Sequence, residues 1–215
     1  MTEYSLTDIK FEGNRDSGIC IIRPVDAAYM GQEISRKNEL EALFVYVPVK
    51  DWNKELSPWS APAVFGDEGF GDGADVLLSF IVSELIPHIE NQYGKKRYIL
   101  AGYSLAGLFA LYAIYNCEAF EAAVAASPSV WFPGWTDYAE ENTLQTKYVY
   151  LSLGDREEKT RNKTMSAVGD CIRRTEEILR AKDIPVTLEW NEGNHFKDPE
   201  GRINKGIRAM LEVMH

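Results

Sequence analysis

The sequence predicts an α/β fold with a mostly parallel central sheet, helices on both faces and a minimal cap. Three observations carry that expectation. Short apolar runs alternate with helical stretches through the second two thirds of the chain, as strand–helix–strand crossovers do. The runs are apolar throughout rather than alternating, so they read as strands covered on both sides. No repeat, linker or low-complexity tract divides the 215 residues, so residues 1–215 are expected to form a single domain with a sizeable core.

Taken in order, Tyr4 to Phe11 and Gly18 to Val25 are extended runs around the turn formers Gly13-Asn14-Arg15-Asp16-Ser17-Gly18. That pattern predicts an antiparallel N-terminal hairpin. Asp26 to Glu41 is compatible with a helix, and Leu43-Phe44-Val45-Tyr46-Val47 is the clearest early strand. Lys50 to Gly73 holds Trp52, Trp59, Phe65 and Phe70 among glycines and prolines, and a loop of that length is usually functional. Leu77, Phe80, Ile81, Leu85 and Ile89 mark a helix over Ala74 to Tyr93, bent at Pro87.

A buried strand at Tyr98-Ile99-Leu100-Ala101 precedes a helix apolar on nearly every side from Leu108 onward. Ala122 to Ala126 is another short strand, and Ser127 to Thr146 is a second irregular, aromatic segment. Tyr148 to Leu153 reads as a strand, Met165 to Leu179 as a long helix, Val186 to Trp190 as the last strand, and Ile203 to Met214 as a closing helix.

Composition narrows the class of function. With 45% hydrophobic and 26% charged residues the chain is globular in character. Its 33 acidic against 23 basic residues give a net charge of −10, which disfavours nucleic acid and anionic membrane as partners. No targeting pattern or membrane-length apolar run is present, so a cytoplasmic location is expected. Cys20, Cys117 and Cys171 are odd in number and widely spaced, and read as reduced core residues rather than disulfide or metal ligands.

Between the strand at Tyr98 and the helix after it stands Gly102-Tyr103-Ser104-Leu105-Ala106-Gly107. A serine in a glycine-flanked turn from buried strand to buried helix is the context of a nucleophile elbow, with helix N–H groups placed for an oxyanion. Ala106 stands where the second glycine of that pattern is usual. A serine needs an imidazole to take its proton and a carboxylate to orient the imidazole. Of three histidines, His215 is terminal and His88 sits in a helix beside Pro87, whereas His195 lies in Gly193-Asn194-His195-Phe196, just beyond the last strand. The acid belongs after the preceding strand, where Leu153-Gly154-Asp155-Arg156-Glu157-Glu158 offers Glu157 first, then Asp155, then Glu158. The order Ser104, acid, His195 is the one that accompanies a nucleophile elbow.

These residues resemble an α/β-hydrolase, more narrowly the esterase D and enterochelin-esterase-like branch. GYSLAG, LGDREE and GNHF carry the resemblance, together with Asp51-Trp52-Asn53-Lys54-Glu55-Leu56-Ser57-Pro58-Trp59 and Ser127-Pro128-Ser129-Val130-Trp131. It extends over most of the chain from about Leu43, and it implies hydrolysis of a small-molecule carboxylic ester without a metal or organic cofactor. The expected oxyanion donors are the N–H groups of Leu105 and, on loop position alone, Trp52. Tyr103, Trp59, Trp131 and Trp135 are expected at the substrate pocket. The alternatives are a siderophore-ester or feruloyl-type aryl-ester hydrolase and, from another class, a non-catalytic hydrolase-fold binding protein. The ester and the oligomeric state are left open.

Overall fold

The computed structural model describes residues 4–30, 40–64 and 66–214. Its strands are β1 Lys10–Gly13, β2 Ile19–Asp26, β3 Leu43–Val49, β4 Arg97–Tyr103, β5 Ala122–Ala126, β6 Tyr148–Gly154 and β7 Val186–Asn191. They form one sheet in the order β1-β3-β2-β4-β5-β6-β7, parallel except for β1 against β3. The helices are α1 Trp52–Glu55, α2 Ala74–Phe80, α3 Ile86–Tyr93, α4 Leu105–Asn116, α5 Trp135–Glu141, α6 Lys163–Ser166, α7 Val168–Ala181 and α8 Pro199–Met214.

The expected N-terminal hairpin is corrected by the strand pairing. β1 is antiparallel, but its partner is β3, with Phe11 opposite Val45, and β2 lies parallel between β3 and β4. The reason is burial: Ile19–Ile22 are covered on both faces and need a neighbour on each side, whereas β1 is only half-buried and suits an edge. The proposed helix over Asp26 to Glu41 shows a 3-10 turn at Ala27–Tyr29, capped by Asp26; residues 31–39 lie outside the described residues. The helix from Ala74 carries a π-helical turn at Ile81–Leu85 just ahead of Pro87. Pro87 has no N–H to give, so the widened turn absorbs the interruption.

Alternate residues of each strand feed two separate apolar layers. Cys20, Ile22, Leu100 and Leu151 face α2, α3, α4, α5 and α7, while Ile21, Ile99, Val124 and Tyr150 face α8. Ile203, Ile207, Met210 and Met214 form the apolar stripe of α8. Gly206 lets that helix come close: a Cβ there would stand 2.5 Å from both Tyr150 and Val124. Since the parallel strands all end at one edge, the loops after β3, β4, β5, β6 and β7 converge there.

Candidate active site

Ser104 sits at the junction of β4 and α4 with φ 57 and ψ −121, a backbone conformation that a non-glycine residue adopts only under constraint. The constraint comes from both sides. Its N–H donates to Ala126 O at 3.2 Å, its carbonyl accepts from Leu108 and Ser129, and a Cβ on Gly102 would collide with the Ala106 carbonyl. Glycine is therefore required at position 102. Ala106 is fully buried in the first turn of α4, and the elbow forms with alanine in place of glycine.

The fold brings Ser104, His195 and Glu157 into one hydrogen-bonded line. Ser104 Oγ lies 3.1 Å from His195 Nε2, and His195 Nδ1 lies 2.7 Å from Glu157 Oε2. A carboxylate on Nδ1 selects the tautomer that leaves Nε2 free to accept the serine proton. The Glu157 side chain is almost wholly buried, so its charge needs partners. It has them: Oε1 accepts from Gly154 N–H at 2.7 Å, Ser127 Oγ at 2.7 Å and Arg202 Nη1 at 2.6 Å. Burial pushes this carboxyl up, and the hydrogen bonds from His195, Ser127 and Gly154 outweigh it and hold it below the usual carboxylate range.

The other two acids of the loop turn elsewhere. Asp155 Oδ1 accepts Gly193 N–H at 2.8 Å and so pins the turn that leads to His195. Glu158 pairs with Arg173 on α7 at 3.3 Å. His88 is half-buried on α3 with its ring 6.1 Å from Phe11, and His215 lies outside the described residues.

Sequence reasoning missed Arg202, which the structure places at the centre of this network. It is buried on the first turns of α8, where its Nη2 donates to the carbonyls of Glu192 at 3.2 Å and Asn194 at 3.0 Å. Its Nη1 reaches Ser127 Oγ at 2.9 Å and Tyr103 Oη at 3.2 Å as well as Glu157. One side chain thus touches the segments that carry the serine, the acid and the histidine. Ser127, at φ 44, and Ser129, whose Oγ is 3.4 Å from Ser104 Oγ, were also missed. The signal available was the Ser-Pro-Ser run directly after β5, at the sheet's carboxyl edge.

A cleft of about 620 Å³ opens over Ser104, with Leu105, Trp52, Phe70, Trp131 and His195 among its walls. Three residues expected at the pocket are placed otherwise. Trp135 is fully buried and donates to Thr175 Oγ1 on α7, because its helix packs inward. Trp59 donates to Pro133 O at 2.8 Å and joins an aromatic cluster with Phe132 and Tyr138. Tyr103 lies beside the line of Ser104, His195 and Glu157 rather than on the cleft wall, its hydroxyl donating to His195 O at 2.6 Å. Phe65 lies outside the described residues.

With that geometry in hand, the comparisons with known proteins are consistent. An IroE-like serine hydrolase from Shewanella oneidensis superposes with a TM-score of 0.78 at 16% identity, over 95% of this chain and 75% of the other. The siderophore hydrolase EstB from Aspergillus nidulans superposes with a TM-score of 0.73 at 17% identity, over 94% and 88%. The enterobactin esterase FES from Shigella flexneri superposes with a TM-score of 0.70 at 15% identity, over 96% of this chain and 56% of that one. At such identities these likenesses establish the α/β-hydrolase fold. No curated protein sequence matches the chain. The model of the esterase family, described as "Putative esterase", matches residues 24–195. By that match the chain belongs to the esterase family, and it is a hydrolase acting on ester bonds.

Proposed function

We propose that the protein is a serine carboxylesterase of small esters in which Ser104 is the nucleophile, His195 the base and Glu157 the acid. The observation that carries this reading is the continuous line of 3.1 Å and 2.7 Å contacts from Ser104 Oγ through His195 to Glu157 at the floor of the cleft. His195 Nε2 takes the hydroxyl proton as Oγ bonds to the ester carbonyl carbon. The tetrahedral oxyanion is held by the N–H of Leu105 at the start of α4 and by that of Trp52, both at the cleft. The C–O bond then breaks, and the departing alcohol leaves with the proton from His195. Water attacks the acyl-enzyme with His195 again as base, releasing the acid and restoring Ser104.

The test is turnover of short p-nitrophenyl esters together with fluorophosphonate labelling. Both are expected in the wild type and neither in Ser104→Ala; absence of both from the wild type overturns the reading. A His195 far from Ser104 would favour a binding-only role, and the two lie 3.1 Å apart.

A second reading, hydrolysis of siderophore or feruloyl-type aryl esters, draws on the named activities of EstB and of FES and on the aromatic walls at Trp52, Phe70 and Trp131. Comparing acetyl, feruloyl and catecholate-siderophore esters separates the two. Among the described residues no helix is long and apolar enough to cross a membrane. The three free cysteines suit a cytoplasmic setting.

A further inference from the structure

The cleft is charged unevenly across the sheet. Toward β3 its walls are Trp52 and Phe70, with Trp131 meeting Phe70 edge-on at 6.0 Å. Toward β6 and β7 they are Arg156, Lys159 and Phe196, and Phe196 is 85% exposed. Among the described residues neither Arg156 nor Lys159 has a side-chain hydrogen bond or ion pair. The nearby carboxylates are already engaged. Asp155 accepts Gly193 N–H, Glu158 pairs with Arg173, and Glu192 pairs with Lys197 at 2.8 Å. Glu157, the carboxylate that lines the cleft, is held by Arg202 and His195. Asn194 Oδ1 accepts Phe196 N–H at 3.1 Å, which leaves its Nδ2 as a donor on the same side. In a chain of net charge −10, this half of the cleft presents two exposed cations, Arg156 and Lys159, of which Arg156 lies near enough to Glu192 to lower its carboxyl while making no ion pair with it.

Mechanism decides which half of an ester lies there. In the reading proposed above His195 returns its proton to the departing alcohol oxygen, so the alcohol half lies on the His195 side and the acyl half lies toward Trp52. We propose that the enzyme prefers esters whose alcohol half carries a carboxylate on an apolar or aromatic frame. Arg156 and Lys159 hold the anion, and the frame lies against Phe196. The overall negative charge of the molecule opposes such a substrate at long range. Salt screens that repulsion beyond about 8 Å, whereas contact pairs at the cleft mouth survive, so the local cations win. Exposed pairs are individually weak, so about threefold for each and about tenfold for the two together is the expectation.

This inference rests on the serine-esterase reading, and its test separates the two. Wild type, Arg156→Gln, Lys159→Gln and the double variant are assayed on 4-acetoxybenzoate and on its methyl ester, which share the acyl group and the ring. The quantity read is the ratio of kcat/KM for the anionic over the neutral ester. The double variant is expected to lower that ratio about tenfold and each single variant about threefold. Monophenyl succinate and its methyl ester, with the charge on the acyl half, are expected to show no such dependence on the two cations. A ratio that changes less than twofold in the double variant, or an equal change for the succinate pair, overturns the inference while leaving the esterase reading intact. If the protein labels with fluorophosphonate but turns over none of these esters, protection is read instead. Protection of Ser104 by 4-hydroxybenzoate must then exceed that by its methyl ester in the wild type and lose this advantage in the double variant, or the inference fails. Absence of labelling defeats the esterase reading itself.

Discussion

Arg202 and His195 hold opposite oxygens of one carboxylate: Arg202 Nη1 donates to Glu157 Oε1 at 2.6 Å, and His195 Nδ1 donates to Oε2 at 2.7 Å. The two cannot displace each other. Arg202 neutralises the buried charge from behind, and His195 is oriented from the front.

Arg202→Met leaves Glu157 buried without its fixed counter-charge, a change that costs about 3 kcal/mol or more of stability. Urea unfolding near neutral pH measures it. In the folded variant the Glu157 carboxyl is expected to be easier to protonate, since the cation 2.6 Å from its Oε1 is gone, so kcat/KM is expected to fall away at higher pH on the acid side. Arg202→Lys keeps the charge and is expected to recover most of the pH profile while losing the contacts to Glu192 and Asn194.

The three acids of the loop after β6 are expected to separate cleanly by kcat. Glu157→Gln can no longer fix the His195 tautomer and is expected to lose about 10³-fold or more. Asp155→Asn weakens the anchor on Gly193 and is expected to cost a smaller factor, roughly tenfold, through misplacement of His195. Glu158→Gln removes an exposed pair with Arg173 and is expected to change kcat by less than twofold. Steady-state assays on a p-nitrophenyl ester decide all three.

What was legible in the sequence, and what was not, divides along the reach of the signal. The parallel strands announced themselves through local apolar runs, and Ser104 and His195 through turns at strand ends. Arg202 did not, because an arginine in an amphipathic helix reads as surface unless the packing of α8 is known. The hairpin failed for a related reason. The turn at Gly13 to Gly18 is real, but whether the next strand folds back or moves over depends on neighbours far along the chain. Trp59 and Trp135 show the same limit: an aromatic in a loop near the active edge serves packing or pocket according to contacts that no local pattern encodes.

Gly206→Val is expected to lower stability by about 1–3 kcal/mol, because added methyl groups enter space already held by Tyr150 and Val124. Thermal unfolding reads the loss. Since the displaced element carries Arg202, activity is expected to fall more steeply with temperature than in the wild type.

Glu121 bridges Arg97 and Lys147, and those contacts bring its carboxyl down to about 2. A depressed value in the folded state contributes stability above the unfolded value of about 4.3, lost as pH falls through the folded one. Glu121→Gln is therefore expected to cost about 1 kcal/mol near neutral pH and to flatten the acid dependence of stability between about pH 4.5 and 2. Denaturant titrations at several pH values check both.

Order of synthesis gives α8 a further meaning. Residues 199–214 leave the ribosome after every strand of the sheet and after Ser104, Glu157 and His195. A growing chain thus holds Ser104, Glu157 and His195 before Arg202, the cation that neutralises Glu157, is made. Among the described helices the last in chain order supplies the buried counter-charge of Glu157, so that carboxylate has its full set of partners only once residues 199–214 have packed on the sheet.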